Sequence, residues 1–175
     1  MSLQEKIKLA VRNVPDFPKP GIQFKDITTL LIDPVLCEEV LDELEKATPK
    51  GITAVIGVES RGFIFGFPLA LRLGIPFIPV RKAGKLPADT ISQSYDLEYG
   101  SAVIEMHKDA LTAEDKVLVH DDLLATGGTA LAAADLVRQT GAEVCGFSFV
   151  LGLDELKGEG FLQPTTRNIT ILARC

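Results

Sequence analysis

Three short apolar runs restrict the folds that this chain can adopt. They are ITAVIGV (52–58), PFIPV (76–80) and KVLVH (116–120), and polar residues bound each of them. A strand with one face in water alternates apolar and polar residues, so runs this continuous predict strands that are buried on both faces of a parallel sheet. Helical patterns closed by a glycine follow the first and third runs, at 62–74 and 129–141. The sequence therefore predicts an α/β fold with a central parallel sheet flanked by helices.

The N-terminal part of the chain carries weaker signals. Apolar residues at helical spacing between Leu3 and Val14 predict a helix that ends near Pro15. The segment IQFKDITTLL (22–31) predicts a strand. Asp33 followed by Pro34 predicts the start of a second helix, because the aspartate caps the first turn and proline suits its first position.

Composition limits the partners and the compartment. The 175 residues fit one domain, 1–175, and a formal net charge of −6 argues against a protein that coats nucleic acid or an anionic membrane. The three cysteines are widely spaced, with no CxxC pair, so neither a disulfide framework nor a zinc site is expected. No apolar run reaches membrane-spanning length, and the N-terminus carries charges throughout. We expect a cytoplasmic protein with a small-molecule partner, and neither nucleic acid nor membrane.

Charged segments follow all three predicted strands. These segments are ESRG (59–62), RKAGK (81–85) and DDLLATGGT (121–129). In open parallel sheets ligands bind outside the carboxyl ends of the strands. We therefore expect the three segments to converge on one crevice.

The third segment has the features of a monophosphate site. Gly127 and Gly128 allow a tight turn with inward N–H groups, and Thr126 and Thr129 add hydroxyl donors at the start of a helix. Neither GxxxxGK[ST] nor GxGxxG is present, which disfavours a nucleoside triphosphate or a dinucleotide. By itself, TGGT is more typical of a simple turn and helix cap than of a phosphate site.

The acidic pair Asp121 and Asp122 favours the phosphate hypothesis. Carboxylates beside a phosphate repel it unless they face something else, and sugar hydroxyls or Mg²⁺ are suitable targets. Basic residues of the other two segments are available for a second anionic group such as a pyrophosphate. They are Arg61, Arg81, Lys82 and Lys85.

The segment VLVHDDLLATGGT resembles the phosphoribosyl pyrophosphate signature of type I phosphoribosyltransferases. DFPKPGIQFKDIT, ESRGFIFG, RKAGKLP and LEYG, in this order, are similar to the adenine-using branch of that family, so the resemblance extends over nearly the whole chain. It implies a type I phosphoribosyltransferase fold with a small N-terminal hood, and usually a homodimer. It also implies a glycosyltransferase reaction of purine salvage, in which phosphoribosyl pyrophosphate and adenine give AMP and pyrophosphate, with Mg²⁺.

The resemblance also implies roles for individual residues. Ala125, Thr126, Gly127, Gly128 and Thr129 would hold the ribose 5-phosphate. Asp121 and Asp122 would bind the ribose hydroxyls, with Mg²⁺ near them through the substrate. Arg61 would face the pyrophosphate, after a strained peptide between Glu59 and Ser60. Glu98 would be the general acid/base.

Other positions are less specific. Lys82 and Lys85 would begin a mobile segment, and 83–93 suits a lid that excludes water. Tyr99 is expected to close over the site, and Arg81 to reach a neighbouring subunit. Phe24 is expected either to stack on the base or to lie in the core, and Lys25, where some relatives carry arginine, to contact base or phosphate. His120 is expected to be structural or modulating.

Three alternatives stay open at this point. A related transferase would use hypoxanthine, guanine or xanthine, because apolar and backbone contacts hold the base. A regulator would keep the fold and sense phosphoribosyl pyrophosphate without catalysis. An α/β structural or binding module would require all five motifs to be coincidental.

Overall fold

The computed structural model describes residues 1–96 and 100–175. The strands run Arg12–Pro15 (β1), Gln23–Asp26 (β2), Ala54–Val58 (β3), Phe77–Lys82 (β4), Thr90–Asp96 (β5), Ser101–His107 (β6), Lys116–Leu124 (β7), Glu143–Gly152 (β8) and Ile169–Arg174 (β9). The α-helices run Leu3–Ala10 (α1), Pro34–Ala47 (α2), Gly62–Leu73 (α3), Gly128–Gln139 (α4) and Gly158–Leu162 (α5). Short 3-10 helices cover Ile27–Ile32 and Asp154–Leu156. Within these ranges no helix is long and apolar enough to cross a membrane.

A seven-stranded sheet confirms the predicted α/β architecture. Its order is β5-β6-β4-β3-β7-β8-β9, and β4, β3, β7, β8 and β9 are parallel. The strands β5 and β6 form an antiparallel arm at one edge. The three apolar runs are neighbours, because Val55 of β3 lies opposite Phe77 of β4 on one side and Leu118 of β7 on the other. Their carboxyl ends therefore meet at one edge of the sheet.

The two faces of the sheet belong to two cores. Val117 and Val119 of β7 pack with α4, whereas Leu118 packs in the cluster that holds Leu69 of α3. This alternation follows from the strand period of two. Each fully buried aliphatic side chain of this size contributes about 1.5–3 kcal/mol. The β3 strand is buried at all five positions, which explains why its sequence has no polar alternation.

Two boundary predictions in the N-terminal part of the chain were wrong. The first helix ends at Ala10, and Arg12–Pro15 instead forms a hairpin with Gln23–Asp26. Arg12 binds the buried Asp26, with Nη2 2.5 Å from Oδ2, and this long-range pair favours the extended chain. The predicted strand at 22–31 keeps only Gln23–Asp26, because Asp26 caps the 3-10 helix by accepting from Thr28 N at 2.9 Å. The hairpin is the expected N-terminal hood.

Two further segments differ from the prediction. β7 continues to Leu124, so Asp121 and Asp122 lie inside the strand, where pairing with β8 extends to Gly152. The predicted lid segment 83–93 is a loop only as far as residue 89, because Thr90 begins the strand that pairs with β6. The second helix begins at Pro34 with Asp33 as its cap, as predicted.

A polar pair lies in the core between β7 and β8. His120 and Ser148 are opposite each other in the register, with Nδ1 2.9 Å from Oγ, and both are almost fully buried. Burial lowers the pKa of His120 to about 4, although the Ser148 hydrogen bond opposes this. The imidazole is therefore neutral at physiological pH, which supports the structural reading of this residue.

We predict that this pair makes the fold acid-sensitive. Between pH 6.5 and pH 4 the unfolded state binds a proton that the folded state does not, so stability is lost as pH falls through this window. His120→Leu/Ser148→Ala removes both partners together and abolishes this loss. Relative to the double variant, the wild type should lose about 3 kcal/mol of unfolding free energy across the window, measured by urea titration. His107→Leu, at the other histidine of the chain, is the control. Equal dependence of the unfolding free energy on pH in the wild type, the double variant and His107→Leu would contradict the prediction.

Candidate active site

The turn after β3 carries two charged side chains of opposite sign. Glu59 lies at the strand end, and its carboxylate accepts from Lys82 N at 2.9 Å and from Arg81 Nε at 3.1 Å. Burial raises the pKa of Glu59, but these hydrogen bonds and the charge of Arg81 outweigh it, so the pKa lies below its ordinary value. The peptide bond between Glu59 and Ser60 is cis, at the bond where the resemblance implies an unusual peptide. Sequence reasoning gave Glu59 no role.

Arg61 lies between a carboxylate and an aromatic ring. It directly precedes α3, and its Nε lies 3.0 Å from Asp122 Oδ2. Its guanidinium carbon lies 5.2 Å from the centroid of the Phe24 ring, which is within cation–π range. The hood and the strand β7 therefore meet at this arginine.

The hood contributes two aromatic rings to the crevice. Phe24 is half-buried rather than in the core, and its ring meets that of Phe17 edge-on at 5.1 Å between centroids. Phe17 is 51% exposed, and no role was predicted for it, although it lies in the segment DFPKPGIQFKDIT. Lys25 follows Phe24 on the same strand, so the two side chains leave opposite faces of the hairpin. Arg61 therefore contacts the face of the hairpin that carries Phe24, and the Lys25 side chain lies on the opposite face.

The acidic pair is desolvated. Asp122 is 3% exposed, and its Oδ2 has no hydrogen-bond partner in the described parts of the chain, because the Arg61 contact is an ion pair by distance alone. Asp121 Oδ1 accepts from Asp122 N at 2.8 Å. Burial raises the pKa of Asp122, opposed by Arg61, and burial together with the charge of Asp122 raises the pKa of Asp121 well above its ordinary value. For both carboxyls, burial outweighs the contacts that favour the ionised form, which include the charge of Arg61 and the N–H of Asp122.

The loop 125–129 forms a small cavity at the start of α4. Gly127 has φ +88°, and the helix begins at Gly128 with no side-chain cap. The cavity has a volume of about 70 Å³, and its lining includes Asp121 and residues 125–130. This is far below the roughly 300–1,000 Å³ of sites for drug-sized ligands, so it fits one compact group. Free N–H groups at a helix N-terminus favour an anion there.

A glycine that the sequence analysis missed lies behind this loop. A methyl group at Gly158 would overlap Ala125 O and would lie 3.0 Å from Gly127 N. In the other direction, a methyl group at Gly127 would lie 2.8 Å from Gly158 O. The two backbones are therefore in direct contact. The sequence signal was the GEG at 158–160, which also suits an ordinary loop.

The predicted residues are brought together only in part. Arg61, Asp121, Asp122 and 125–129 share the crevice, but Arg81 is turned to Glu59 of its own chain and donates from Nη1 to Lys85 O at 3.1 Å. Lys82 and Lys85 are exposed. Glu98 and Tyr99 lie outside the described residues. The chain reaches Asp96 beside the loop, where its carbonyl oxygen would lie 3.7 Å from a methyl group at Gly128.

Comparison with known proteins gives consistent matches. Residues 27–160 match the model of the phosphoribosyl transferase domain. An adenine phosphoribosyltransferase of Photorhabdus laumondii is 54% identical over 158 residues, which cover 90% of this chain and 86% of that protein. The crystal structure of adenine phosphoribosyltransferase from Rhodothermus marinus has a TM-score of 0.93 and 47% identity, covering 99% of this chain and 98% of that one. The Saccharomyces cerevisiae enzyme, complexed with D-2,5-dideoxy-2,5-imino-altritol 1,6-bisphosphate and adenine, has a TM-score of 0.87 and 41% identity, covering 98% and 97%.

We predict that Asp121→Asn stabilises the protein at neutral pH. A folded pKa raised above the ordinary 3.8 means that the wild type loses stability as pH rises from 3.8 towards that raised value. The amide keeps an oxygen for Asp122 N and carries no charge. Calorimetry at pH 8 should show Tm higher by a few degrees, since 1 kcal/mol corresponds to about 2–4 °C in a domain of this size.

The gain should shrink towards pH 4, where the wild-type carboxyl is also protonated. Asp89→Asn, at an exposed carboxylate outside the crevice, is the control and should leave Tm unchanged. A pH-independent gain, or a loss at pH 8, would show that the pair carries no desolvation cost.

Proposed function

This chain belongs to the phosphoribosyl transferase family, and from that premise we propose that it transfers the ribose 5-phosphate of phosphoribosyl pyrophosphate to adenine. The products are AMP and pyrophosphate, in a pentosyltransferase reaction of purine salvage. The observation that carries this function is the crevice in which the loop 125–129, the acidic pair and Arg61 under Phe24 lie together. Relatives that span nearly the whole chain are adenine phosphoribosyltransferases.

The substrate occupies the crevice from the loop outwards. The 5-phosphate accepts from the N–H groups of Gly127, Gly128 and Thr129 and from the hydroxyls of Thr126 and Thr129, at the positive end of α4. Ala125 completes the loop on the side of the strand. The cavity of about 70 Å³ suits a single phosphoryl group.

The acidic pair binds the ribose hydroxyls. Asp121 lines the loop cavity, and Asp122 Oδ2, which lies 3.0 Å from Arg61 Nε and makes no hydrogen bond in the described residues, is the acceptor for a hydroxyl. Asp121 and Asp122 would also hold a Mg²⁺ ion that enters with the substrate, because carboxylate oxygens are ligands that this ion prefers. In the described residues no group of three or more candidate metal ligands is present, which suits such a shared ion. Mg²⁺ held there would supply positive charge for the pyrophosphate.

The leaving group requires cations. Transfer breaks the bond between ribose C1 and the pyrophosphate oxygen, whose electron pair leaves with pyrophosphate, while adenine N9 forms the new bond to C1. Positive charge develops on the ribose and negative charge on pyrophosphate, so cations and carboxylates stabilise opposite ends of the transition state. Arg61 is the catalytic cation. Arg81, Lys82 and Lys85 complete the pyrophosphate site once the Arg81–Glu59 pair opens.

The hood provides the base site. Phe24 and the exposed Phe17 offer a ring surface on which adenine stacks, beside the ribose end of the crevice. Tyr99, which lies outside the described residues, is the proposed residue that closes over the site, and Lys25 is proposed to contact the base or a phosphate. Residues 1–175 act as one domain. The free thiols Cys37, Cys145 and Cys175 suit a reducing cytoplasm.

Glu98 is the proposed general acid/base, which takes the N9 proton as adenine attacks. It follows Asp96 by two residues in the sequence and lies outside the described residues, whereas Asp96 lies beside the loop 125–129. We predict that Glu98→Ala and Glu98→Gln lower kcat by about 10²–10⁴. Glu114→Gln, at an exposed glutamate, is the control.

The assay measures nucleotide formation from phosphoribosyl pyrophosphate and Mg²⁺ with adenine, hypoxanthine, guanine and xanthine in parallel. We expect AMP from adenine and little product from the other bases. Turnover of another base would show that the chain is a related purine phosphoribosyltransferase with a different base specificity. Tight binding of phosphoribosyl pyrophosphate without turnover would identify a sensor.

A homodimer is the proposed assembly. α3 exposes an apolar stripe at helical spacing, formed by Ile64, Phe67 and Leu71, of which Leu71 is 64% exposed. Phe67 also packs edge-on against Phe77 at 5.8 Å, so the stripe is fixed to the sheet. A stripe on both copies forms a self-complementary contact about a two-fold axis.

We predict that Leu71→Glu converts the dimer to a monomer, because it places a charge at the most exposed residue of the apolar stripe. Light scattering after size exclusion should give twice the protomer mass for the wild type and one protomer mass for the variant. Leu156→Glu, at an exposed leucine outside α3, is the control and should remain dimeric. A monomeric wild type, or a dimeric Leu71→Glu, would contradict this assembly.

A further inference from the structure

We propose that Arg174, the last residue of β9, is a positioning residue for the phosphate-binding loop 125–129. The inference rests on the proposed role of that loop. Arg174 acts through residues 154–162, here called the backing segment, which lies behind the loop on the side away from the crevice. Neither Arg174 nor the backing segment was singled out by the sequence.

The backing segment and the loop touch through backbone atoms, with no side chain between them. Gly158 is buried, and a methyl group there would overlap Ala125 O, whereas one at Gly127 would lie 2.8 Å from Gly158 O. A side chain between two elements adjusts its rotamer when one element shifts, but two backbones in contact have no such freedom. The position of Gly158 therefore sets the position of the loop.

Arg174 holds the backing segment on both sides of Gly158. Its Nη1 lies 3.0 Å from Asp154 Oδ1, and its Nη2 lies 2.7 Å from Glu159 Oε2. The planar guanidinium presents its donors in a fixed fork, so two carboxylates bound to it keep a fixed separation. Asp154 N also donates to Cys175 O at 3.0 Å, which fastens the start of the segment to the end of β9.

Leu162 anchors the backing segment in the core, and a cavity lies on the side of Arg174. A cavity of about 300 Å³ separates it from the sheet, and Leu124, Gly152, Gly158, Gln163 and Arg174 are among the residues that line it. Lys157 has φ +52°, an unfavourable conformation for a residue other than glycine. An open cavity and a residue at positive φ both indicate a segment that is held in place by specific contacts, and Arg174 makes two of them.

The consequence is specific to one substrate. The backing segment contacts the loop through Gly158, whereas the hood meets the crevice at a different place, where Phe24 lies against Arg61. Displacement of the loop therefore weakens binding of the 5-phosphate and leaves the base site intact. Half-exposed ion pairs contribute little to global stability, whereas a misplacement of about 1 Å in a substrate contact has large kinetic effects.

The test compares Arg174→Met, which keeps the aliphatic length and loses both ion pairs, with Arg174→Lys, which keeps the charge without the fork. Arg72→Met is the matched control, because Arg72 also pairs with several carboxylates, among them Glu38 and Asp42, and lies between α2 and α3 far from the loop. Each protein is assayed for KM with phosphoribosyl pyrophosphate and with adenine. The Kd for ribose 5-phosphate is measured by calorimetry, and Tm is recorded.

Arg174→Met should raise KM for phosphoribosyl pyrophosphate and Kd for ribose 5-phosphate by about tenfold, with KM for adenine within about twofold of wild type. For Arg174→Lys, KM for phosphoribosyl pyrophosphate and Kd for ribose 5-phosphate should lie between those of the wild type and those of Arg174→Met. Arg72→Met should leave all three constants unchanged, whatever its Tm. If Arg174→Met does not fold, Glu159→Gln, which weakens one of the two pairs, should show the same split at smaller size.

Equal changes in both KM values, or unchanged ribose 5-phosphate binding in Arg174→Met and Glu159→Gln, would overturn the positioning role. Failure of the proposed function is seen separately, as a wild type without turnover for any base. In that case the ribose 5-phosphate arm still decides whether Arg174 positions the loop, and a wild type that does not bind ribose 5-phosphate would overturn both proposals.

Discussion

Parallel pairing of β3 between β4 and β7 is the constraint on which the site depends. Because all three strands run in one direction, three segments that are distant in sequence end at one edge of the sheet. Complete burial of β3 fixes this arrangement, since a slip of one residue would exchange the two cores on its faces. The loop 125–129, the acidic pair and Arg61 are thus held by the strongest part of the hydrophobic core.

The charges of the crevice are held in pairs that a substrate must rearrange. Arg61 lies against Asp122, and Arg81 is bound by Glu59. The acidic pair is buried, and one of its oxygens lacks a hydrogen bond within the described ranges. Breaking a buried pair is costly unless the ligand supplies new partners of the right charge. A sugar pyrophosphate supplies both kinds, hydroxyls for the carboxylates and phosphate oxygens for the arginines. This exchange favours a ligand that carries both groups.

The sequence predicted the centre of the molecule better than its margins. Continuous apolar runs identified β3, β4 and β7, because burial on both faces leaves a local signature. The hood hairpin was mistaken for a helix and a longer strand, because the Arg12–Asp26 pair that fixes it joins residues outside any local pattern. The TGGT loop was found from its own residues. Its backing by Gly158 was not, because a backbone contact across 31 residues leaves no trace in either glycine's neighbours. The prediction of a helix up to Pro15 failed because the tertiary pairing of the hairpin overrides a weak helix propensity.

Both α3 and α4 begin at the crevice, so their positive ends face the same small volume, with Gly62 beside Asp121 and Gly128 at the loop. The chain as a whole carries a net charge of −6. An anionic sugar phosphate is therefore repelled at long range and attracted only within the last few ångströms. Salt screens interactions beyond about 10 Å at 0.1 M and weakens the distant repulsion more than the local attraction. Moderate ionic strength should thus speed the encounter of this enzyme with its substrate, in contrast to proteins whose overall charge steers the ligand in.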